Sequence, residues 1–364
     1  MSSKIGVGII GCGNISDIYM RNLRDTFTNT AVVACSDADM GRAAAAAEKH
    51  RIPKAQTVSE LLANPQVDIV LNITIPASHH DVCRQALLAG KHVYVEKPLS
   101  IEYRDARELV ALAGERGLVV GCAPDTFLGG GLQTCRALVD EGAIGRPLSA
   151  TAFLGWHGPE HEHPAPAFLY KHGAGPIYDY GPYYITALIS MLGAAKSVCA
   201  LAGKGFAERT VSCPGPMFGT SFPVETPTHV TGNIAFAGGA IATLMLSFDI
   251  WGHGLPFMEI YGSEGTLRLP DPDKFGGPVY LARQGEDAFR EIPLRYGHAE
   301  NSRGIGLADM ADAIAGNRRP RASGDMALHV VEIMSAFLDS AERQRYVELE
   351  TSCARPEPLG DTVL

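Results

Sequence analysis

No stretch of the 364 residues approaches the roughly 20 uninterrupted apolar residues of a membrane-spanning helix. Nor does a charged segment followed by an apolar run open the chain, so a cytoplasmic protein is expected. The eight cysteines form no Cys-x-x-Cys pair, which argues against a zinc knuckle or a thioredoxin-type centre. Scattered thiols of this kind read as small buried hydrophobes in a reducing compartment. Basic residues are the minority, 31 against 40 acidic, for a net charge of −9. Affinity for a nucleic-acid backbone comes from clustered Lys and Arg, and no such stripe is present. No internal repeat is visible, which excludes solenoids and propellers.

What is present is alternation. Short apolar runs at Ile5–Ile10, Ala31–Cys35, Asp68–Ile73, His92–Val95 and Leu118–Cys122 are separated by helix-like stretches. Those stretches are Ile15–Asp25, Met40–His50, Ser78–Ala89 and Ile101–Arg116. Buried strands spaced by helices imply βαβ units and a doubly wound parallel sheet of α/β class. After about Ala123 the pattern changes. A helix is expected over Phe127–Asp140, a strand over Leu148–Leu154, a long His/Pro/Gly loop over Gly155–Pro176, and a helix ending near Leu192. Antiparallel strands follow between Val198 and Leu269, with a Pro/Gly-rich loop at Ser212–Pro227. In Ile241–Ile250, Ala242, Leu244, Leu246, Phe248 and Ile250 share one face, opposite Thr243, Ser247 and Asp249. Helices at Ile305–Ala315 and Gly324–Ala341 close the chain. Two domains are expected, 1–123 and 124–364, with the last helix able to pack back on the first.

The first strand runs into Gly11-Cys12-Gly13-Asn14-Ile15-Ser16, which is G-x-G-x-x-S. The first glycine permits the tight turn, the second lets backbone approach a pyrophosphate, and the third position sets helix-on-strand packing, where Ser16 is small enough. The following helix N-terminus offers N–H groups and a positive dipole end to the diphosphate. Asp37 ends strand two, 26 residues beyond Gly11. A carboxylate there accepts hydrogen bonds from the ribose and repels a 2′-phosphate, so NAD is favoured over NADP, although Arg42 leaves NADP open. The plainer alternative is a glycine-rich turn that binds nothing.

Three further segments carry a resemblance. Strand four ends in Glu96-Lys97-Pro98. Strand three leads into Ile73-Thr74-Ile75-Pro76 with His79 beyond. The second half contains Gly175-Pro176-Ile177-Tyr178-Asp179-Tyr180-Gly181-Pro182-Tyr183. With the glycine turn, these resemble the Gfo/Idh/MocA oxidoreductase family, which includes glucose–fructose oxidoreductase, inositol dehydrogenase and dihydrodiol dehydrogenase. The resemblance implies a Rossmann domain, followed by a C-terminal α/β domain with a large, open, mainly antiparallel sheet. It implies homodimers or homotetramers formed through that open face. It also implies cofactor contacts from Thr74, Ile75, Pro76, His79, Glu96 and Lys97, besides Gly11, Cys12, Gly13, Asn14, Ile15 and Asp37. The chain departs from the family at Ser16, at Ile75 within the usual Thr-Pro step, and at Tyr183, where many members carry histidine.

Lys97 falls at the carboxyl end of a parallel strand, where open α/β sheets bind ligands. It suits the role of the base that takes a hydroxyl proton as hydride leaves for nicotinamide. The alternative is a surface lysine paired with Glu96. Asp179 and Tyr183 are four apart and would share a helix face. Either they contact the reacting oxygen, or Tyr183 merely packs among Tyr178, Tyr180 and Tyr184. Asp125, after strand five, is expected to accept a substrate hydroxyl, and Trp156 to underlie a sugar ring. His161 and His163 contact substrate, hold a metal, or face solvent. Hydride transfer needs no metal, and none is expected. His298 and Arg303 are further candidates. The leading reading is an NAD(P)-dependent dehydrogenase acting on a secondary alcohol or ketone of a sugar, glycoside or cyclic polyol. The alternatives are a redox-neutral epimerase or glycosidase-like lyase that retains its cofactor, and a non-catalytic NAD-binding regulator.

Overall fold

The computed structural model describes residues 4–364 except 287, 361 and 363. In chain order the first elements are β1 (Ile5–Ile10), α1 (Ser16–Asp25), β2 (Thr30–Ser36), α2 (Met40–His50), α3 (Val58–Ala63), β3 (Ile69–Asn72), α4 (His79–Leu88), β4 (His92–Val95), α5 (Tyr103–Glu115) and β5 (Val120–Cys122). Next come α6 (Gly130–Asp140), β6 (Pro147–Gly155), α7 (Gly175–Asp179), α8 (Gly181–Leu192), β7 (Ala195–Gly203), β8 (Glu208–Thr210), β9 (Ser221–Pro223), β10 (His229–Phe236) and β11 (Ile241–Ser247). The chain closes with β12 (Met258–Gly262), β13 (Gly265–Leu269), β14 (Val279–Arg283), β15 (Arg290–Ile292), α9 (Ile305–Ala315), α10 (Gly324–Arg343) and β16 (Val347–Glu348).

Strands β1–β5 form a parallel sheet in the order β2-β1-β3-β4-β5. Every residue of β3 and β5 is buried, because crossover helices cover both faces. Helix α1 buries Ser16, Tyr19, Met20 and Leu23, an i, i+3, i+4, i+7 stripe that turns toward the sheet. The strand order reverses between β1 and β3. That is the switch point, outside whose carboxyl ends ligands bind.

The second sheet has nine strands in the order β15-β14-β13-β12-β6-β11-β10-β7-β16. It is antiparallel except for the β6–β11 pair, which is parallel. Ala242, Leu244 and Leu246 of β11, and Phe248 just beyond it, are fully buried, as the alternation predicts. Full burial of each Leu or Phe contributes roughly 1.5–3 kcal/mol.

The chain divides into two compact units that the sequence did not delimit. Unit 1 comprises 1–129, 296–331 and 356–364; unit 2 comprises 130–295 and 332–355. Residues 296–331, expected in the second domain, thus belong with the Rossmann sheet. The reason lies in their contacts. Asn29 Nδ2 donates to the Ala308 carbonyl at 2.8 Å, and Ser323 bridges Gly121 antiparallel at the β5 edge. Three other expectations are corrected. The Ser212–Pro227 segment contains β9, which pairs with β8 in a hairpin. The helix ending at Leu192 is two helices, broken at Tyr180, with Pro182 in the first turn of α8, where its missing N–H is harmless. Strands β14 to β16 lie beyond Leu269, where the expected sheet stopped.

Candidate active site

The switch point of unit 1 is built from two loops. Gly11 has φ +107°, and a Cβ there would lie 2.6 Å from the Ile73 carbonyl oxygen, so only glycine lets the β1 and β3 loops approach this closely. A Cβ on Gly13, by contrast, would meet nothing within 4 Å. Helix α1 begins without a side-chain cap, leaving its N-terminus available to an anion. Asp37 Oδ2 accepts the Cys12 N–H at 2.7 Å, and Oδ1 accepts the Asp39 N–H at 2.9 Å. The acid of β2 therefore buttresses the glycine turn. On the β3 side, Asn72 Oδ1 accepts from Thr74 Oγ1 at 2.7 Å and from the Thr74 N–H at 3.2 Å. Ile75 beside it is 67% exposed, an apolar surface next to the turn. A dinucleotide fits here: open space over Gly13, an uncapped helix N-terminus, an acid at the end of β2 and an exposed apolar residue on the β3 loop.

Strand β4 delivers Glu96 and Lys97, both half-buried. Glu96 is held through both carboxylate oxygens. Oε1 accepts the Tyr19 hydroxyl at 2.6 Å, and Oε2 accepts the Lys97 N–H at 2.9 Å. The Lys97–Pro98 peptide is cis. His79, expected to touch cofactor, is 1% exposed. Its Nδ1 lies 2.7 Å from the Pro98 carbonyl and its Nε2 3.1 Å from the Thr74 carbonyl. The ring joins the Thr74 loop to the Lys97–Pro98 turn from beneath, and burial holds its pKa below the usual range.

Asp125, expected to accept a substrate hydroxyl, has protein partners instead of open space around it. It is 1% exposed, and its Oδ2 accepts the N–H groups of Gly304 at 2.9 Å and Gly306 at 3.1 Å. It caps α9 across 179 residues of sequence, supplying the acceptor that Gly304 lacks. Burial raises its pKa to about 6. His298 stacks on Phe27 at 6.0 Å, and Arg303 Nη1 donates to Asn301 at 3.1 Å.

Unit 2 gathers several of the other candidates into an aromatic group. Trp156 meets Tyr180 edge-on at 6.0 Å, His161 at 5.5 Å and Phe248 at 5.6 Å. Tyr180 in turn lies 6.4 Å from Tyr183. Asp179 ends α7 and Tyr183 lies in the first turn of α8, so the two straddle the helix break instead of sharing one continuous face. Among the described residues the buried indole N–H of Trp156 has no acceptor. His163 does not join the group: it packs edge-on against Phe168 at 5.3 Å, and its Nδ1 accepts the Ala165 N–H. Among the described residues no three His, Cys, Asp or Glu side chains form a group able to hold a metal ion.

The loop that carries Trp156 and His161 is anchored by residues that sequence reasoning missed. Arg209, 4% exposed as a side chain, donates to Glu160 at 2.7 Å and to the Phe248 carbonyl at 2.8 Å, and pairs with Asp249. Tyr170 donates to the other Glu160 oxygen. Forty-nine residues separate Glu160 from Arg209, so no local pattern announces the pair. Tyr19 was missed for a different reason: it sits on the apolar stripe of α1, where a tyrosine reads as core.

A family model described as an oxidoreductase family with an NAD-binding Rossmann fold matches residues 5–123. A second, described as a GFO/IDH/MocA C-terminal domain, matches residues 132–268. The chain is 29% identical to a 1,5-anhydro-D-fructose reductase of Ensifer adhaerens over 350 residues, covering 94% of this chain and 98% of that protein. It is 30% identical to a trans-1,2-dihydrobenzene-1,2-diol dehydrogenase of Bos taurus, over 79% of each chain. Among solved structures, levoglucosan dehydrogenase in complex with NADH and L-sorbose superposes with a TM-score of 0.82 at 20% identity, over 96% of this chain and 100% of that one.

Proposed function

The chain belongs to the GFO/IDH/MocA oxidoreductase family, and from that premise we propose that it moves a hydride between NAD and a secondary alcohol or ketone carbon of a sugar, glycoside or cyclic polyol. One observation carries this reading: Glu96 and Lys97 stand at the carboxyl end of β4, in the same sheet whose β1–β3 switch point is shaped for a dinucleotide. The relatives named for a sugar reductase and a cyclic diol dehydrogenase support the substrate class.

NAD, when bound, supplies the hydride acceptor at its nicotinamide ring. The protein's own residues do the rest. Gly11, Cys12, Gly13, Asn14 and Ile15 present backbone to the diphosphate. Asp37 faces the ribose, and Thr74, Ile75 and Pro76 flank the turn. Lys97 takes the hydroxyl proton as hydride leaves, and returns it in the reductive direction. In unit 2, Tyr183 hydrogen-bonds the reacting oxygen and Asp179 orients a neighbouring hydroxyl. Trp156 offers its ring face to the substrate, with His161 beside it. We assign cofactor binding to the domain of residues 1–123 and substrate binding to unit 2. The eight scattered cysteines suit a reducing cytoplasm. The open face of the second sheet, where Leu201 and Ile241 are exposed, is the proposed contact with a second copy of the chain.

The test is absorbance at the reduced-nicotinamide band, with NAD or NADP and a panel of monosaccharides, glycosides, inositols and cyclic diols. A substrate-dependent rise is expected, and Lys97→Ala is expected to abolish it while still binding NADH. No rise, together with a substrate altered by mass spectrometry, would replace this reading with redox-neutral catalysis.

A further inference from the structure

We propose that Tyr19 is a positioning residue for the reaction: its hydroxyl fixes the Glu96 carboxylate, and through it the backbone that presents Lys97. The inference rests on the assignment of Lys97 as proton acceptor and deepens it.

Tyr19 lies on α1, one turn beyond its start, and is fully buried. A tyrosine fills that space no better than phenylalanine, so its hydroxyl needs a separate reason. The reason is 77 residues away. The Tyr19 hydroxyl donates to Glu96 Oε1 at 2.6 Å. The other carboxylate oxygen, Oε2, accepts the Lys97 N–H. One carboxylate thus links the helix that follows the glycine turn to the residue that handles the proton. Burial and the Glu96 charge push the Tyr19 pKa far above its usual value, so it remains a donor at every working pH. Without that donor the carboxylate keeps, among the described residues, the contact to its own neighbour. Glu96 then regains rotamer freedom, and the Lys97 amide loses a fixed acceptor. Small misplacements of a reacting group cost rate steeply, whereas binding tolerates them.

The experiment uses the full chain and four variants, Tyr19→Phe, Glu96→Gln, the double variant and Lys97→Ala. Steady-state kinetics are measured against pH, with NADH binding measured by fluorescence. Tyr19→Phe preserves volume, and it is expected to lower kcat by roughly ten- to a hundredfold and to move the acid limb of the kcat profile. Its KM for NAD and its affinity for NADH should stay near wild type. If Tyr19 acts through Glu96, the double variant is no slower than Glu96→Gln alone. The inference is overturned if Tyr19→Phe keeps wild-type kcat and pH profile, if its loss falls on NADH affinity instead, or if the two substitutions add. Lys97→Ala separates this failure from that of the underlying reading: an active Lys97→Ala removes the role of Lys97, whereas an inactive Lys97→Ala beside a fully active Tyr19→Phe removes only the role of Tyr19.

Discussion

A carboxylate enclosed at position 125 has a measurable cost. Its pKa is about 6 in the fold against 3.8 as an ordinary aspartate, because desolvation outweighs the two N–H groups it accepts. The native state therefore binds a proton more tightly than the unfolded chain. Stability from this group is fully present below 3.8 and is lost as pH rises to about 6. Asp125→Asn keeps an oxygen for Gly304 and Gly306 but cannot ionise. Urea unfolding of both proteins across pH 3.5 to 7 should show wild type losing up to about 3 kcal/mol relative to the variant as pH rises. A pH-independent difference would refute the account. The residue scale is also where sequence reading was least secure. Lys97 and Glu96 stand out because a motif marks them. Asp125 and His79 do not, because adjacency to a strand end looks the same whether a side chain faces a ligand or a neighbouring loop. Only the positions of Gly304 and Gly306, and of the Thr74 and Pro98 carbonyls, separate the two cases.

The glycine turn is the element whose parts have separable roles. Gly11 serves the fold, since its φ is +107° and a side chain would strike Ile73. Gly13 has open space around it, and we assign its bareness to ligand binding. Gly11→Ala is expected to destabilise by about 1–3 kcal/mol, seen as a lowered Tm. Gly13→Ala should unfold within about 0.5 kcal/mol of wild type yet bind NADH at least about tenfold more weakly, a loss of about 1.4 kcal/mol. Equal effects in both assays would remove the distinction. Elements with a strong period were legible: β1, α2, β4, α9 and the inward face of β11 lie where the pattern puts them. The α7–α8 break was not, because Gly181-Pro182 is compatible both with a helix start and with a kink.

At the scale of the whole molecule, the outward face of the nine-stranded sheet is the proposed surface of assembly. Leu201 is 66% exposed and Ile241 is 54% exposed, with Met245 and Phe153 half-buried on neighbouring strands. Apolar side chains in that number on one sheet face are the mark of a contact surface. Sedimentation of the purified chain is expected to show an oligomer, and Leu201→Asp to shift it toward monomer; a wild-type monomer would withdraw the proposal.

The sequence by itself determined the parallel sheet, the dinucleotide turn, the Glu96-Lys97-Pro98 turn and the alternation of the second sheet. Each of these is written in residues close together along the chain, where periodicity and turn chemistry act. Tertiary structure alone decided that 296–331 joins the first unit, that Asp125 caps α9, that Tyr19 holds Glu96, and that Arg209 anchors the Trp156 loop. These pairings close over 49 to 279 residues. A buried polar group must find its partner wherever the fold brings one, and no local pattern records which partner that is.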